Sequence, residues 1–518
     1  MALFQSALVL LTAAVLLLFV ARKLGVPYPA MLALAGGCVA ALPWAPHVAI
    51  EPHLVLALFV APAVVDSAFD MPPRILLRHW LPLTSLAVML VLATTAAVAW
   101  AGVSLEGLAL PAAIALGAIV APPDAAAASA VLQQFNLPRR TMAVLQGESL
   151  LNDAVVLLIF GAAVSAEAMQ AGTWVASVPL MLIAVPGAVV LGLVIGSISV
   201  RAASLLAGTQ SVIIAQLIAT YGGWLLAERL QLSAIITVAT LGMFVAHNAP
   251  SRTSARDRVS GNAVWAALVF VLNVLAFLLV GLQARDILAS LEGDALWRSL
   301  RFALAVLGIV IGVRIVWVMA YGVILRRWRR GVPKHAHTSP APGVRIGVFV
   351  SWCGMRGLVT LATALALPAQ FEGRDTIVLT AFVVVLGTLV LQGFTLRPLI
   401  TLLRIEPDCS LYDEVSRARV AMLDAALQVL KGKRGAVPSA VRAEYLAARA
   451  VAANASRPQG RTLYDELRLE AIARERVVLH RWRRAECIDD DAYHRLEEEL
   501  DRAELDATTR DTISLIKA

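Results

Sequence analysis

Gln146–Phe160 reads QGESLLNDAVVLLIF, and the rest of the chain is interpreted from it. Glu148, Asn152 and Asp153 sit in what is otherwise an apolar helix of membrane-spanning character. At helical periodicity Glu148 and Asn152 stack on one face, with Ser149 and Asp153 on the adjacent one. A carboxylate at bilayer depth costs roughly a few kcal/mol on insertion scales, so two of them there need partners or a task. We take Asp153 as the centre of function.

Composition agrees with a membrane setting. The 518 residues are 59% hydrophobic and 15% charged, with mean hydropathy +0.76, which excludes an ordinary soluble globular protein. Apolar runs long enough to cross a bilayer recur as far as Leu403. Beyond that the chain turns charged and helix-periodic. The expected organisation is a transmembrane domain over 1–405 and a cytoplasmic helical domain over 406–518. The basic residues behind the net charge of +8 sit in short loops between spans, so nucleic acid is not expected as a partner. The four cysteines (Cys38, Cys353, Cys409, Cys487) show neither metal-ligand spacing nor a disulfide framework. No Walker-type loop argues for ATP-driven pumping, and no cofactor is expected.

The apolar runs predict an all-α polytopic fold of about thirteen spans: 3–21, 27–44, 53–70, 80–102, 109–133, 141–164, 176–200, 210–228, 231–248, 261–282, 300–325, 345–367 and 376–402. Odd-numbered connections are basic: Arg22/Lys23, Arg74/Arg78, Arg139/Arg140, Arg201, Arg252/Arg256/Arg258, and Arg326–Arg330 with Lys334. Most even-numbered ones are acidic or nearly uncharged. That bias places the odd loops and the tail in the cytoplasm and the N-terminus outside. Arg22-Lys23 follows the first apolar run and no basic residue precedes it, which argues against a cleaved signal peptide.

Two spans read as interrupted. In the fifth, AIVAPPDAAAASAV carries Pro122-Pro123 in mid-run, which removes backbone donors and leaves the carbonyls of Ala118 and Ile119 without helical partners. In the twelfth, WCGMRGLVT brackets Arg356 with Gly354 and Gly357. Broken helices seven spans apart fit an inverted repeat with a binding site at the bilayer midplane.

Asp153 is the expected carboxylate for a proton or a monovalent cation, since burial favours the first and a bound cation the second. Asn152 cannot titrate, so the pair carries one exchangeable charge. Asp124 is either a second ligand or a cap on the second half of the broken helix. Asp66 offers a further oxygen from the third span. Ser149 is either a neutral ligand or bonded to its own helix carbonyl. Glu148 is expected to form a structural ion pair with Arg356, joining the sixth and twelfth spans. Arg314 either snorkels or meets a helix-end carbonyl. In the tail, 461–505 reads as charged helices with i, i+4 pairs, solvated or self-associating.

GESLLND, APPDA and GMRG, in that order and spacing, resemble the Asn-Asp branch of the monovalent cation:proton antiporters, the sodium/proton exchangers, over roughly 1–405. The resemblance implies a secondary transporter, not an enzyme, which exchanges sodium, potassium or lithium for protons by alternating access. It implies 1:1 electroneutral exchange in the bacterial inner membrane, a homodimer and a role in pH homeostasis. It makes Asp153 the ion- and proton-binding carboxylate, Asn152 its partner, and Ser149 and the Pro123 backbone carbonyl ligands. Glu148 would pair with Arg356. Two departures stand out. Many members have Thr-Asp-Pro where this chain has Pro123-Asp124-Ala125, and a third-span Glu is replaced by Asp66. The other reading is a membrane sensor on the same scaffold, with the tail as output.

Overall fold

The computed structural model describes residues 2–24, 27–40, 52–124, 127–128, 132, 137–168, 174–209, 211–249, 253–289, 293–329, 343–405, 410–454, 463–485 and 487–508. Helices are the only regular secondary structure among them, as a lipid solvent demands of a chain that must satisfy its own backbone. Residues 45–51 of the expected loop 45–52, most of the second half of the fifth span, Arg252, Arg330 with Lys334, and Cys409 lie outside the described residues.

Contacts divide the chain into two compact units. One comprises Met1–Leu132 and Arg139–Ile405; the other comprises Gln133–Pro138 and Glu406–Ala518. In the first unit the main helices are α1 (Ala2–Leu24), α2 (Tyr28–Ala40), α3 (Ala61–Phe69), α4 (Leu90–Ala101), α5 (Leu110–Val120), α6 (Arg139–Ala168) and α7 (Trp174–Leu205). They continue with α8 (Ser211–Arg229), α9 (Ala234–Asn248), α10 (Ala255–Leu282), α11 (Gly293–Arg329), α12 (Val344–Trp352), α13 (Leu358–Leu365) and α14 (Arg374–Leu403). Among the described residues, seven helices are long and apolar enough to cross a membrane, and Tyr28–Ala40, Leu56–Phe69, Leu110–Val120 and Ala234–Asn248 are shorter apolar helices.

Small residues let these helices approach closely, which is how apolar helices pack where lipid removes any hydrophobic drive. A Cβ on Gly36 of α2 would lie 2.5 Å from the Leu278 carbonyl oxygen of α10. On α7, a Cβ at Gly192 would lie 2.5 Å from the Thr237 oxygen of α9, and one at Gly196 would meet Phe244. The Gly192–Gly196 pair is thus a packing seam.

Prolines account for two of the departures from α geometry among the described residues. Pro62 lacks an N–H and its ring crowds the Leu58 carbonyl, so the chain widens into a π turn over Leu56–Val60. The displaced Leu58 carbonyl accepts from the Tyr221 hydroxyl at 3.3 Å. At Pro122-Pro123 α5 stops; Ala121 N–H donates to the Ala118 oxygen at 3.3 Å, so the Ala118 carbonyl, expected to lack a helical partner, is satisfied by a tighter turn. The twelfth span is likewise two helices, α12 and α13, separated by the unwound segment Cys353–Gly357.

The second unit contains two helical hairpins, α15 (Ser410–Val429) with α16 (Ala436–Asn454), and α17 (Leu463–Arg484) with α18 (Asp490–Thr508). Ile472, Leu479, Tyr493 and Ala507 are the buried apolar positions of the second hairpin. Its rim holds Arg476 between Asp501 and Glu504, each 2.5 Å away. The Arg483 guanidinium lies 4.2 Å over the Tyr493 ring.

Candidate functional site

The two breaks cross. The Asp124 N–H donates to the Met355 carbonyl at 2.7 Å, stitching the unwound end of α5 to the unwound segment between α12 and α13. Asp124 in turn accepts through its own carbonyl from Ala128 N–H at 3.4 Å, which starts the second half of the fifth span. The Asp124 carboxylate lies against Gly357, where a Cβ would occupy the same space. Gly357 is the residue just before α13, so the carboxylate sits at the positive end of that helix.

Arg356 completes the crossing by an arrangement the sequence did not suggest. Its Nε donates to the Val120 carbonyl at 3.1 Å and its Nη2 to the Ala121 carbonyl at 3.4 Å. Its Nη1 donates to the Gly354 carbonyl, and its backbone N–H donates to Thr388 Oγ1 of α14 at 3.0 Å. A fully buried guanidinium therefore replaces the missing amide donors at the C-terminal end of α5, where positive charge is favoured.

The expected ion pair between Glu148 and Arg356 is corrected. Glu148, fully buried on α6, pairs with Arg314 of α11. Arg314 Nη1 and Nη2 take one carboxylate oxygen each, the second at 3.1 Å, and Nη2 also donates to the Val350 carbonyl at 3.2 Å. This is the fork geometry in which arginine binds carboxylate best. Arg356 needs no carboxylate because an interrupted helix exposes carbonyls. Arg314, in the unbroken run of α11, takes the acid together with one carbonyl, that of Val350 at the broken end of α12.

Asn152 and Asp153 lie on α6 beside this crossing. Asn152 is fully buried, and its Nδ2 donates to the Pro123 carbonyl at 3.4 Å; its Oδ1 has no hydrogen-bond partner among the described residues. Asp153 is 8% exposed and makes no hydrogen bond or ion pair with the described residues. Its carboxylate lies within electrostatic reach of Asp124. Ser149 is partly buried one turn earlier on α6. Asp66 is partly buried on α3, whose Val65 and Ala68 pack on Gly242 of α9. Among the described residues no group of three or more His, Cys, Asp or Glu is arranged to chelate a metal ion.

Comparison with known proteins matches this architecture. The profile described as sodium/hydrogen exchanger, transmembrane, covers residues 9–402. An uncharacterized Na(+)/H(+) exchanger of Mycobacterium tuberculosis is 29% identical over 524 residues, covering 96% of each chain. A sodium, potassium, lithium and rubidium/H(+) antiporter of Bacillus pumilus is 28% identical over 429 residues, covering 78% of this chain and 62% of that one. Among solved structures, the sodium proton antiporter MjNhaP1 of Methanocaldococcus jannaschii aligns with a TM-score of 0.58 at 19% identity, over 78% of this chain and all of that one, a likeness of fold.

Proposed function

This chain belongs to the sodium/hydrogen exchanger family, a family of multi-pass membrane transporters, and we propose that it exchanges one monovalent cation for one proton at Asp153 by alternating access. The observation that carries this is Asp153 itself: a nearly buried carboxylate, beside two interrupted helices, with no partner among the described residues. Such a group holds a proton or a cation and has no fixed counter-charge to prevent either. Asn152 anchors the Pro123 carbonyl through its amide nitrogen and turns a neutral oxygen to the same region. The Pro123 carbonyl, Ser149 and Asp124 are the proposed further ligands, with Asp66 as an outer oxygen.

Charge balance supports a 1:1 electroneutral stoichiometry. The buried guanidiniums of Arg314 and Arg356 and the carboxylates of Glu148, Asp124 and Asp153 leave one negative charge, which one proton or one monovalent cation cancels. Either occupant yields the same net charge. The basic odd-numbered loops support an N-terminus outside and a cytoplasmic tail. A homodimer and a role in pH homeostasis belong to the same proposal.

The test is proton flux in proteoliposomes with sodium, potassium or lithium, for the full chain and for Asp153→Asn. Cation-dependent alkalinisation of an acid-loaded lumen that vanishes in the variant supports exchange through Asp153 and ranks the ions. Folded wild-type protein with no cation-dependent flux over a broad pH range removes the proposal and favours a sensor.

A further inference from the structure

Along α14, Thr388, Gln392 and Thr395 recur at i, i+4 and i+7 and so form one stripe. Both threonines hold the segment that leads into the twelfth-span break. Thr388 Oγ1 accepts from the Arg356 N–H at 3.0 Å, and Thr395 Oγ1 accepts from Trp352 Nε1 at 2.9 Å. Gln392 lies between them and therefore faces Cys353–Met355, the start of the unwound segment.

Gln392 is fully buried, and neither its Nε2 nor its Oε1 has a hydrogen-bond partner among the described residues. A buried primary amide with nothing to bond is among the least favourable side chains a core can hold, and a leucine of similar size would avoid the cost. The N–H groups of Gly354 and Met355 have no backbone partner among the described residues either. Complementary groups are thus left unjoined on α14 and on the neighbouring segment whose Met355 carbonyl holds Asp124.

We propose that Gln392 is a positioning residue of the exchange cycle, whose amide bonds the unwound Cys353–Met355 backbone in the opposite access state. In the state seen here Thr388 and Thr395 hold the segment. In the other, Gln392 takes the backbone groups they leave exposed, and thereby places Met355 and Asp124. This rests on the alternating-access exchange proposed above.

The experiment compares wild type, Gln392→Leu and Gln392→Asn as full-length protein, by thermal unfolding and by cation/proton flux in proteoliposomes. Leucine is expected to leave the unfolding temperature equal or higher, because it removes an unpartnered amide from the resting state. It is expected to lower kcat by about tenfold or more with the cation KM little changed, and asparagine to restore part of the rate. Wild-type turnover in Gln392→Leu would overturn the proposal. So would loss of folded protein in Gln392→Leu, which would mean the amide is already satisfied at rest. An absence of cation-dependent flux in folded wild type would instead remove the exchange reading on which this one stands.

Discussion

The same two chemical groups meet in both units, with opposite consequences. In the membrane unit Glu148 and Arg314 are paired at 0% and 1% side-chain exposure. In the tail Arg476 is paired with Asp501 and Glu504, whose side chains are about half exposed. Both sets have good geometry. Water separates them energetically: an exposed pair competes with hydration and salt, whereas a buried one has already lost its hydration and depends on its partner. Counting ion pairs therefore says little about this protein. What matters is where a group goes when its partner is removed.

The largest expected effect comes from breaking the buried pair on one side only. Glu148→Ala or Arg314→Ala strands the remaining charge at a cost of about 3–5 kcal/mol. Little monodisperse protein should survive detergent extraction. The pair Glu148→Leu with Arg314→Met should recover much of the loss, and a double-mutant cycle on thermal unfolding measures the coupling. If Arg314→Ala extracts as well as wild type, the contrast with the tail fails.

Next comes Arg356→Met. It leaves the carbonyls of Val120 and Ala121 without their donors, at about 2–3 kcal/mol, with loss of exchange because the crossing loosens. Lysine should rescue folding poorly, since a single ammonium cannot reproduce the spread guanidinium. Amide hydrogen exchange at 118–121 and at Asp124 reports the loosening directly.

A much smaller effect is expected from Arg476→Ala in the tail, no more than about 1 kcal/mol and fading as salt rises. It would appear as faster amide exchange confined to α17 and α18. A loss as large as that of Arg314→Ala would show that the tail pair works as a buried one.

The smallest effect concerns His79, just ahead of the span that begins at Trp80. Partial burial, then the charges of Arg140 and Arg78, push its imidazole below the usual value of 6.5. The unfolded chain therefore binds more protons than the folded one in the window below about 6.5, and stability rises with pH through that window. Acidification should weaken the fold slightly. His79→Gln should flatten this dependence, and Arg140→Gln should move the His79 titration, followed by NMR of labelled histidines, back towards its ordinary range.

Much of the fold was legible because periodicity and breakage are local. Pro122-Pro123 and Gly354–Gly357 marked where helices stop, and the structure stops them there. The site was legible as a set of residues on α6 and at the two breaks, but its wiring was not. One acid and two arginines could be matched in two ways, and mid-membrane position alone does not decide between them. The deciding fact was three-dimensional: the end of α5 lies beside Arg356, offering it carbonyls from a segment more than two hundred residues earlier. Gln392 was invisible for a similar reason. A glutamine in an apolar run is unremarkable until both ends of its amide are found buried and unbonded.

The contact of Gly357 with the Asp124 carboxylate has a genetic consequence. The GMRG and APPDA stretches lie far apart in the chain, yet they share one small volume, and a single methyl group at 357 would have to displace the acid. A strain that depends on this exchanger for growth in salt should lose it through Gly357→Ala. Its intragenic revertants should concentrate at position 124 and its immediate neighbours, so that selection alone would map the crossing of the two broken helices.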